Sequence, residues 1–511
     1  MFNWSKSVEE PKSELQKEKD EIHAENRKEK QHKNQKLTAW ERIQFLIDEG
    51  TFVELNTFVE HRCNYFGMEK KRAEGDGVIT GYGKVNGRTI CVYAQDFTLM
   101  GGSIGEMNAK KISDCQKKAM EMDVPIVGLF DSGGARVQEG IQGLSGHGHI
   151  FYNNVQSSGK IPQISAIMGN CAGGASYSPA LTDFIIMVEK TSNMFITGPK
   201  VVKTAIGQDV TISELGGPEV HSKISGIVDH VAKNDEDCLN YIKNLLSFLP
   251  PNSHTKPKIA EKINFNIKEH DINKILPESN RKSYDVRRLI ECLVDDYSMM
   301  EIKPEFATSM VTTFARIGGY PVGIVANQPA QKAGCIDIDA ADKASRFIRT
   351  CDNYNIPIIT LVDVSGFYPG KEQEQKGIIR HGAKMLYAYG ESSVPKITVI
   401  LRKAYGGAYL AMCSKELGAD VVFAWPNSEM AVMSAEGAAA VIFRKDSPEE
   451  QAIKKAEYEK QFLSPKEAAH MGYVDDIIEP EDTRDSIIRV LDNCWDIWKS
   501  KKEHFHRNIP V

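Results

Sequence analysis

The chain uses one layout twice: an apolar strand, then a Gly-Gly-Ala turn, then a helix. The first copy contains PQISAIMGNCAGGASYSPA, and the second contains PKITVILRKAYGGAYLAM. Each copy follows an earlier strand that ends in aspartate, with nearly the same spacing. Gly173 follows Asp131 by 42 residues, and Gly406 follows Asp363 by 43. The shared order and spacing predict two copies of one α/β domain.

Smaller patterns support this architecture. Asn86-Gly87 in GYGKVNGRTICVY predicts a β-hairpin with a two-residue turn. The stretch RIGGYPVGIVANQP predicts a second hairpin at the start of the second copy. We expect a helix at about 105–122 and mostly parallel pairing among the strands that alternate with helices.

The length and the repeat predict four segments. They are a charged N-terminal extension at 1–36, a first domain at 37–250, a linker at 251–279 and a second domain at 280–511. The extension is rich in Lys and Glu without apolar periodicity, and the linker is rich in Pro and polar residues. After residue 447 we expect helices that pack outside the second core.

The composition argues against several classes of protein. The net charge is only −6, so no basic face for nucleic acid or an anionic membrane is indicated. The ten cysteines include no Cys-x-x-Cys pair, which argues against a zinc ribbon, and no metal site is predicted. The N-terminus has no apolar signal segment, and no apolar stretch is long enough to span a bilayer. We therefore expect a cytoplasmic enzyme with reduced thiols.

The Gly-Gly-Ala turns indicate that backbone N–H groups bind an oxyanion. Glycine allows positive φ and close approach of a ligand, and a helix N-terminus offers N–H donors that favour negative charge. Such a donor contributes about 2.7–4 kcal/mol to an oxyanion that develops in acyl chemistry. Two turns predict two stabilised anions in one reaction. The alternative is that Gly173, Gly174, Gly406 and Gly407 only allow tight packing of helix on sheet.

The stretch GNCAG at 169–173 suggests a different class of enzyme. It fits the Gly-x-nucleophile-x-Gly turn of α/β-hydrolases, with Cys171 as the nucleophile of a thiol hydrolase. The second copy has Ala404 at the matching position, and alanine cannot attack a substrate. A small buried cysteine is the other interpretation of Cys171.

Other polar side chains allow both structural and functional interpretations. Asp131 and Asp363 end their strands and are expected to have structural roles, such as capping the following turns. His381 lies in a helical pattern that favours a structural histidine. Arg136 is a candidate ligand of a phosphate, although a salt bridge fits its position equally well. The stretch GLSGHGH at 143–149 lacks the spacing of a nucleophile turn and is expected to open a helix.

Seven long motifs cover much of the chain: DSGGARVQEG, MGNCAGGASYSPALTDF, MFITGPKVVK, GCIDIDAADKASRF, IIRHGAK, RKAYGGAYLAM and FAWPNSEMAVM. Together they resemble the carboxyltransferase β subunit of biotin-dependent acyl-CoA carboxylases. The resemblance covers residues 35–511, and the propionyl-CoA carboxylase type and the decarboxylase α subunits are the most similar branches. It implies an α/β chain of two tandem crotonase-fold domains.

The resemblance also implies an assembly and a reaction. Two trimeric rings stack as a homohexamer, and each active site lies between the first domain of one subunit and the second domain of another. A carboxyl group moves between carboxybiotin and the α-carbon of a short acyl-CoA of the acetyl, propionyl or methylmalonyl type. The biotin nitrogen takes the α-proton, so no side-chain base is required. The chain has no Met-Lys-Met sequence, which implies biotin on a separate carboxyl carrier protein or biotin carboxylase subunit.

The same motifs imply the site residues. Gly173 and Gly174 are expected to hold the enolate oxygen of the thioester. Gly407 and Ala408 are expected to hold the ureido oxygen of biotin. Further contacts to the substrates are expected from Ala135, Arg136, Ala175, Tyr177, Gly406 and Leu410.

The sequence departs from the family pattern near both turns. Asn170, Ser365 and Ser434 replace a Pro, a Pro and a Gly that many members have. Leu410 stands where propionyl-type members often have Asp, and an apolar residue there is shared by acetyl-using carboxylases and by decarboxylases. The sequence therefore leaves the identity of the acyl group open. It also leaves open the direction of carboxyl transfer, because a decarboxylase α subunit would run the transfer from acyl-CoA to biotin. A non-catalytic scaffold that binds a biotin carrier is a further alternative.

Overall fold

The computed structural model describes residues 28–261, 265, 271–277, 279 and 282–498. They form two compact units. The first contains the described residues up to Val220 together with Val231–Lys243, and the second contains His221–His230 together with the described residues from Asn244 onward. Residues 1–27 of the expected extension, and parts of the expected linker, lie outside the described residues. The domain boundaries drawn from the sequence remain predictions.

The first unit is built on a mixed β-sheet. Its strands are β1 (Val53–Leu55), β2 (Val78–Val85), β3 (Arg88–Gln95), β4 (Ile126–Ser132), β5 (Gln163–Ala172), β6 (Phe184–Val188), β7 (Asn193–Phe195) and β8 (His230–Ala232). They lie in the order β1-β2-β3-β4-β5-β6-β8, and β7 pairs with the last residues of β5. Pairing is antiparallel from β1 to β3 and parallel from β3 to β6.

The helices that accompany this sheet alternate with its later strands. They are α1 (Lys28–Lys33), α2 (Ala39–Leu46), α3 (Glu106–Met122), α4 (Ile141–Ser157), α5 (Tyr177–Ala180), α6 (Pro199–Ile206), α7 (Ile212–Gly216), α8 (Pro218–Lys223) and α9 (Asp235–Phe248). The helix expected at about 105–122 is confirmed as α3. The stretch at 143–149 lies within α4, so the expectation that it opens a helix is also confirmed.

The second unit repeats the design. Its strands are β9 (Met300–Ile302), β10 (Met310–Ile317), β11 (Tyr320–Asn327), β12 (Ile358–Val364), β13 (Lys396–Tyr405), β14 (Val421–Ala424), β15 (Glu429–Ala431) and β16 (Asp476–Ile477). They lie in the order β16-β14-β13-β12-β11-β10-β9, and β15 pairs with the last residues of β13. Pairing is antiparallel from β9 to β11 and parallel from β11 to β14. The expected duplication of an α/β domain is confirmed.

The helices of the second unit correct one expectation. They are α10 (Val286–Leu293), α11 (Ile338–Asn353), α12 (Lys371–Lys376), α13 (Ile378–Glu391), α14 (Gly406–Ala411), α15 (Ala435–Ile442), α16 (Pro448–Tyr458), α17 (Pro465–His470) and α18 (Thr483–Cys494). The segment after residue 447 was expected outside the core. Instead, Ile487 and Leu491 of α18 are fully buried in the core cluster that contains Trp425. The expectation holds for α16, none of whose residues is buried, and is wrong for α18, because the apolar face of α18 completes that core.

Both predicted hairpin turns are confirmed by their backbone conformations. Asn86 and Gly87 have φ values of 49° and 79°, and Gly318 and Gly319 have φ values of 60° and 82°. Two successive residues with positive φ match the right-handed twist of the strands they join. Each turn joins two antiparallel strands, β2 to β3 in the first unit and β10 to β11 in the second.

The core explains why the parallel strands read as continuous apolar runs. Every residue of β4 and of β12 is buried, as expected for parallel strands that are covered on both faces.

Each unit also has a buried lysine at the same place, on the helix after the hairpin. Lys111 donates to the carbonyls of Gly75 and Val78, and Lys343 donates to three carbonyls at 2.7–2.8 Å. None of the described helices is both long and apolar enough to cross a bilayer.

Candidate active site

The first Gly-Gly-Ala turn lies at the carboxyl end of β5. The residues Gly173–Ser176 form one 3-10 turn, and α5 follows directly. Gly173 has a φ of 63°, a conformation that strains residues with a Cβ. A Cβ on Gly174 would lie 3.0 Å from Cδ2 of His147. Gly173 is therefore favoured by its backbone conformation, and a Cβ on Gly174 would press against a buried ring.

The second turn lies at the carboxyl end of β13 and has the same geometry. Gly406 has a φ of 59°, and α14 begins at this residue. Gly407 and Ala408 are the second and third residues of the helix, so their N–H groups have no acceptor within it. No described side chain caps this helix start. The turn therefore presents backbone donors at the positive end of a helix dipole.

Gly407 distinguishes between the two explanations for these glycines, which are tight packing of helix on sheet and backbone binding of an oxyanion. A Cβ at this position would have no described heavy atom within 4 Å, apart from its chain neighbours, and the residue is exposed. Tight packing thus accounts for Gly174 but not for Gly407. The open space at Gly407 is instead what a ligand that approaches the backbone requires.

A cleft of about 680 Å³ lies in the second unit beside this turn. Its lining includes the turn itself and the loops that follow β12 and β15, among them Ser365, Gly366, Phe367, Lys403, Tyr405, Gly406, Gly407, Ala408, Glu429, Ser434 and Glu436. Two of the departures from the family pattern, Ser365 and Ser434, therefore line the cleft. Ser434 also caps α15, because its hydroxyl accepts the N–H of Gly437.

The strand-terminal aspartates form buried ion pairs. Asp131 is fully buried, with Nζ of Lys36 at 2.5 Å and Nη1 of Arg42 at 3.4 Å from its Oδ2. In the second unit, Nε of Arg402 lies 2.7 Å from Oδ2 of Asp363. Their expected structural role is confirmed, although it is performed by ion pairs rather than by capping. Lys36, which we assigned to a solvated extension, is buried by its pair with Asp131.

The loop after β4 lies against the first turn. A Cβ on Gly134 would lie 2.7 Å from the carbonyl oxygen of Ala172, and Ala135 is exposed beside it. Arg136 is only 2% exposed, and its Nη1 donates to Asp76 and Glu139, both at 2.8 Å. These ion pairs confirm the salt-bridge interpretation of Arg136, and the expected contact of Arg136 with substrate stays a prediction. Its charge holds the loop in place.

The other expected contact residues differ in exposure. Tyr177 at the start of α5 is 47% exposed, and Leu410 in α14 is 43% exposed, so both side chains are accessible to a ligand. Ala175 is buried, so its methyl group supports the first turn from inside. Nδ1 of His381 lies 2.8 Å from Oδ2 of Asp342, and the structural interpretation of this histidine stays a prediction.

Cys171 does not have the environment of a nucleophile. Its side chain is fully buried in β5, and burial raises the pKa of the thiol well above its usual range. A thiol that stays protonated is inert, since the thiolate is the reactive form. The thiol-hydrolase interpretation is therefore wrong.

We expect Cys171→Ala to leave the rate of acyl-CoA turnover unchanged, because the thiol takes no part in the chemistry. The rate is measured on the full chain, and intact-mass spectrometry of the parent chain after incubation with acyl-CoA provides the control. An acyl adduct on Cys171 would contradict this expectation.

Sequence reasoning missed one residue that contacts the first turn. His147 packs against Gly174 although 27 positions separate them in the chain. The signal was present, since GLSGHGH follows the glycine-rich loop, but nothing local in the sequence indicates which histidine faces the turn. Across the described parts of the chain, no group of three or more His, Cys, Asp or Glu side chains is placed to hold a metal ion.

Comparison with known protein families identifies this architecture. The carboxyl transferase domain matches residues 30–509. The chain belongs to the carboxyl transferase family. This carboxyltransferase is 52% identical to methylmalonyl-CoA decarboxylase subunit alpha of Veillonella parvula, over 95% of this chain and 96% of the relative. It is 48% identical to propionyl-CoA carboxylase beta chain of Cereibacter sphaeroides, with 95% and 96% covered.

A solved structure confirms the expected fold of the carboxyltransferase. The crystal structure of transcarboxylase 12S, described as a hexamer with methylmalonyl-CoA and methylmalonic acid bound, matches with a TM-score of 0.93. The two chains are 49% identical, and the match covers 97% of this chain and 98% of that one. The two units are therefore tandem crotonase-fold domains, and the family resemblance found in the sequence is confirmed.

Proposed function

We propose that this carboxyltransferase moves a carboxyl group between carboxybiotin on a separate carrier and the α-carbon of a short acyl-CoA. The observation that carries the proposal is the pair of Gly-Gly-Ala turns, each at the end of a buried parallel strand and each followed by a helix. Gly173 and Gly174 hold the thioester oxygen. Gly407 and Ala408 hold the ureido oxygen of biotin.

The second unit fits biotin on structural grounds. The cleft lies in front of Gly407, where the missing Cβ leaves open space for a flat ring to approach the backbone. The N–H groups at the start of α14 suit a ureido oxygen, which becomes more negative when the attached carboxyl group leaves. Bound biotin supplies the nitrogen that carries the carboxyl group and exchanges the α-proton.

The first unit stabilises the enolate of the acyl-CoA. Loss of a carboxyl group or of a proton from the α-carbon places negative charge on the thioester oxygen. Two N–H donors aimed at this oxygen contribute about 2.7–4 kcal/mol each to the transition state. Asp131 and Arg136 lie close to this turn, but both are committed to buried ion pairs, which supports a mechanism without a side-chain base.

We assign propionyl-CoA and methylmalonyl-CoA as the substrate pair. The names of the relatives at 52% and 48% identity support this pair. The same residues serve carboxylation of propionyl-CoA and decarboxylation of methylmalonyl-CoA, because both directions pass through one enolate.

The assembly proposed for this chain follows that of the solved relative. Transcarboxylase 12S is described as a hexamer, and the high structural match supports a hexamer of two stacked trimers here. We further propose that biotin arrives on a carrier protein or biotin carboxylase subunit, because the sequence has no biotinylation motif of its own.

The test incubates the full chain with methylmalonyl-CoA and free biotin as carboxyl acceptor, and measures propionyl-CoA by chromatography. We expect propionyl-CoA to form from methylmalonyl-CoA only when biotin is present, and acetyl-CoA to form more slowly from malonyl-CoA under the same conditions. Turnover that is independent of biotin would contradict carboxyl transfer. An inactive chain that still binds a biotinylated carrier would instead support the scaffold interpretation.

A further inference from the structure

His147 supports the first Gly-Gly-Ala turn from inside the molecule. Its side chain is 1% exposed, and its ring lies against the position that a Cβ on Gly174 would occupy, with Cδ2 at 3.0 Å and Nε2 at 3.3 Å. A second ring, that of Phe151, contacts His147 edge to face with 6.1 Å between ring centres. The imidazole therefore fills the space directly behind the residue proposed to donate to the thioester oxygen.

The two ring nitrogens of His147 have different environments. Nδ1 lies 2.9 Å from the carbonyl oxygen of Gly143. A carbonyl only accepts, so Nδ1 carries the hydrogen. Burial lowers the pKa of His147, which keeps the ring neutral and leaves Nε2 as a bare acceptor. Nε2 has no hydrogen-bond partner among the described residues, and a buried polar atom without a partner is costly.

A second buried group without a partner lines a chamber that His147 also lines. The side chain of Gln95 is 1% exposed, and its Oε1 accepts the N–H of Asp131 at 3.2 Å. Its Nε2 is a donor with no partner among the described residues. Gln95, His147 and Ala175 of the first turn all line one small chamber of about 10 Å³. This volume is close to the minimum for a single water molecule, which needs at least two polar partners.

We propose that one buried water joins Gln95 to His147 behind the first turn, and that His147 is a positioning residue for the thioester oxygen bound there. The water accepts a hydrogen bond from Nε2 of Gln95 and donates one to Nε2 of His147. Both buried groups are then satisfied, as such groups are in native proteins. The inference rests on the proposed function of Gly173 and Gly174.

The consequence for the reaction is geometric. Hydrogen bonds on both nitrogens, to Gly143 and to the water, prevent rotation of the imidazole. The fixed ring in turn holds Gly174 so that its N–H keeps its direction as the enolate forms. Misplacement of a catalytic group by about 1 Å can cost 100-fold in rate. Loss of the ring's anchoring is therefore expected to lower kcat more than it changes KM, because the donor matters most in the transition state.

The test uses the full chain in the assay with methylmalonyl-CoA and free biotin. His147→Phe keeps an aromatic ring but removes both nitrogens, and we expect kcat to fall by about tenfold to 100-fold while KM for methylmalonyl-CoA stays nearly constant. His147→Gln places an amide near the former Nε2 and is expected to recover most of the loss. His149→Phe is the matched control, since His149 lies on the same helix but is exposed. Its kcat should equal that of the parent chain.

A double-mutant cycle tests the water itself. If one water joins the two side chains, Gln95→Leu and His147→Phe together lower kcat no further than the more damaging single change, because the water is lost only once. Fully additive losses would overturn the shared water. Parent-like kcat in His147→Phe, or a loss that only follows the folded fraction measured by thermal unfolding, would overturn the positioning role. A parent chain without biotin-dependent activity would contradict the proposed function instead.

Discussion

Replacing Gly407 with proline is expected to lower the rate of carboxyl transfer by about 10²–10³-fold, the cost of removing one oxyanion donor. Proline has no N–H, and the first turn of a helix tolerates it because N–H groups there have no acceptor in the helix. Gly407 is the second residue of α14 and is exposed, so the new ring meets open space. The rate is measured as biotin-dependent formation of propionyl-CoA from methylmalonyl-CoA.

The matched control is Gly407→Ala, which adds a Cβ but keeps the N–H. A Cβ at this position contacts no described heavy atom, so we expect a folded enzyme. Its rate should fall less than that of the proline variant, because the methyl group takes up space that the ligand uses while the N–H donor remains. If alanine were as damaging as proline, the backbone of Gly407 would matter for ligand access rather than for its donor. If proline were harmless, the N–H of Gly407 would have no part in the reaction.

Removing the carboxylate of Asp131 has the largest expected effect on stability. The Asp131→Ala chain leaves the ammonium group of Lys36 buried without this carboxylate, whereas Arg42 keeps its ion pair with Asp235. An uncompensated buried charge costs about 3–5 kcal/mol. The ion pairs of Asp131 also tie the segment before α2 to the end of β4. We expect a lower free energy of unfolding, measured by urea denaturation with circular dichroism.

Asp114→Ala serves as the comparison for this stability measurement. Asp114 pairs with Lys110 on the surface of α3, where both side chains are at least one-third exposed. Surface ion pairs of this kind contribute at most about 1 kcal/mol. A free-energy change for Asp131→Ala as small as that for Asp114→Ala would show that Lys36 reaches another partner, and that Asp235 alone compensates Arg42, when the carboxylate of Asp131 is absent.

The repeated layout was sufficient to predict the two sheets. Alternating strands and helices, the glycines of the hairpin turns and the Gly-Gly-Ala turns are local patterns, and each is set by residues close together in the chain. The positive φ of Gly173 and Gly406 follows from the same local chemistry. For this reason the turns at the ends of β5 and β13 could be located from the sequence, and their role as sites stays a prediction.

Side-chain partners were harder to predict because they depend on the path of the chain. Arg136 allowed a phosphate or a salt bridge, and only the fold brings Asp76 and Glu139 to it. Lys36 read as part of a solvated extension, yet it pairs with Asp131 far along the chain. In α18, the apolar face is visible in the sequence, but the core it completes is not.

The sequence by itself determined the duplication, the order of elements and the family of this carboxyltransferase, because these depend on residue type and spacing along the chain. Only the tertiary structure decided which glycines pack tightly and which face open space, and that His147 lies behind Gly174. Contacts between distant residues form when strands bring them to one edge of a sheet, and no pattern of neighbouring residues encodes the resulting distances.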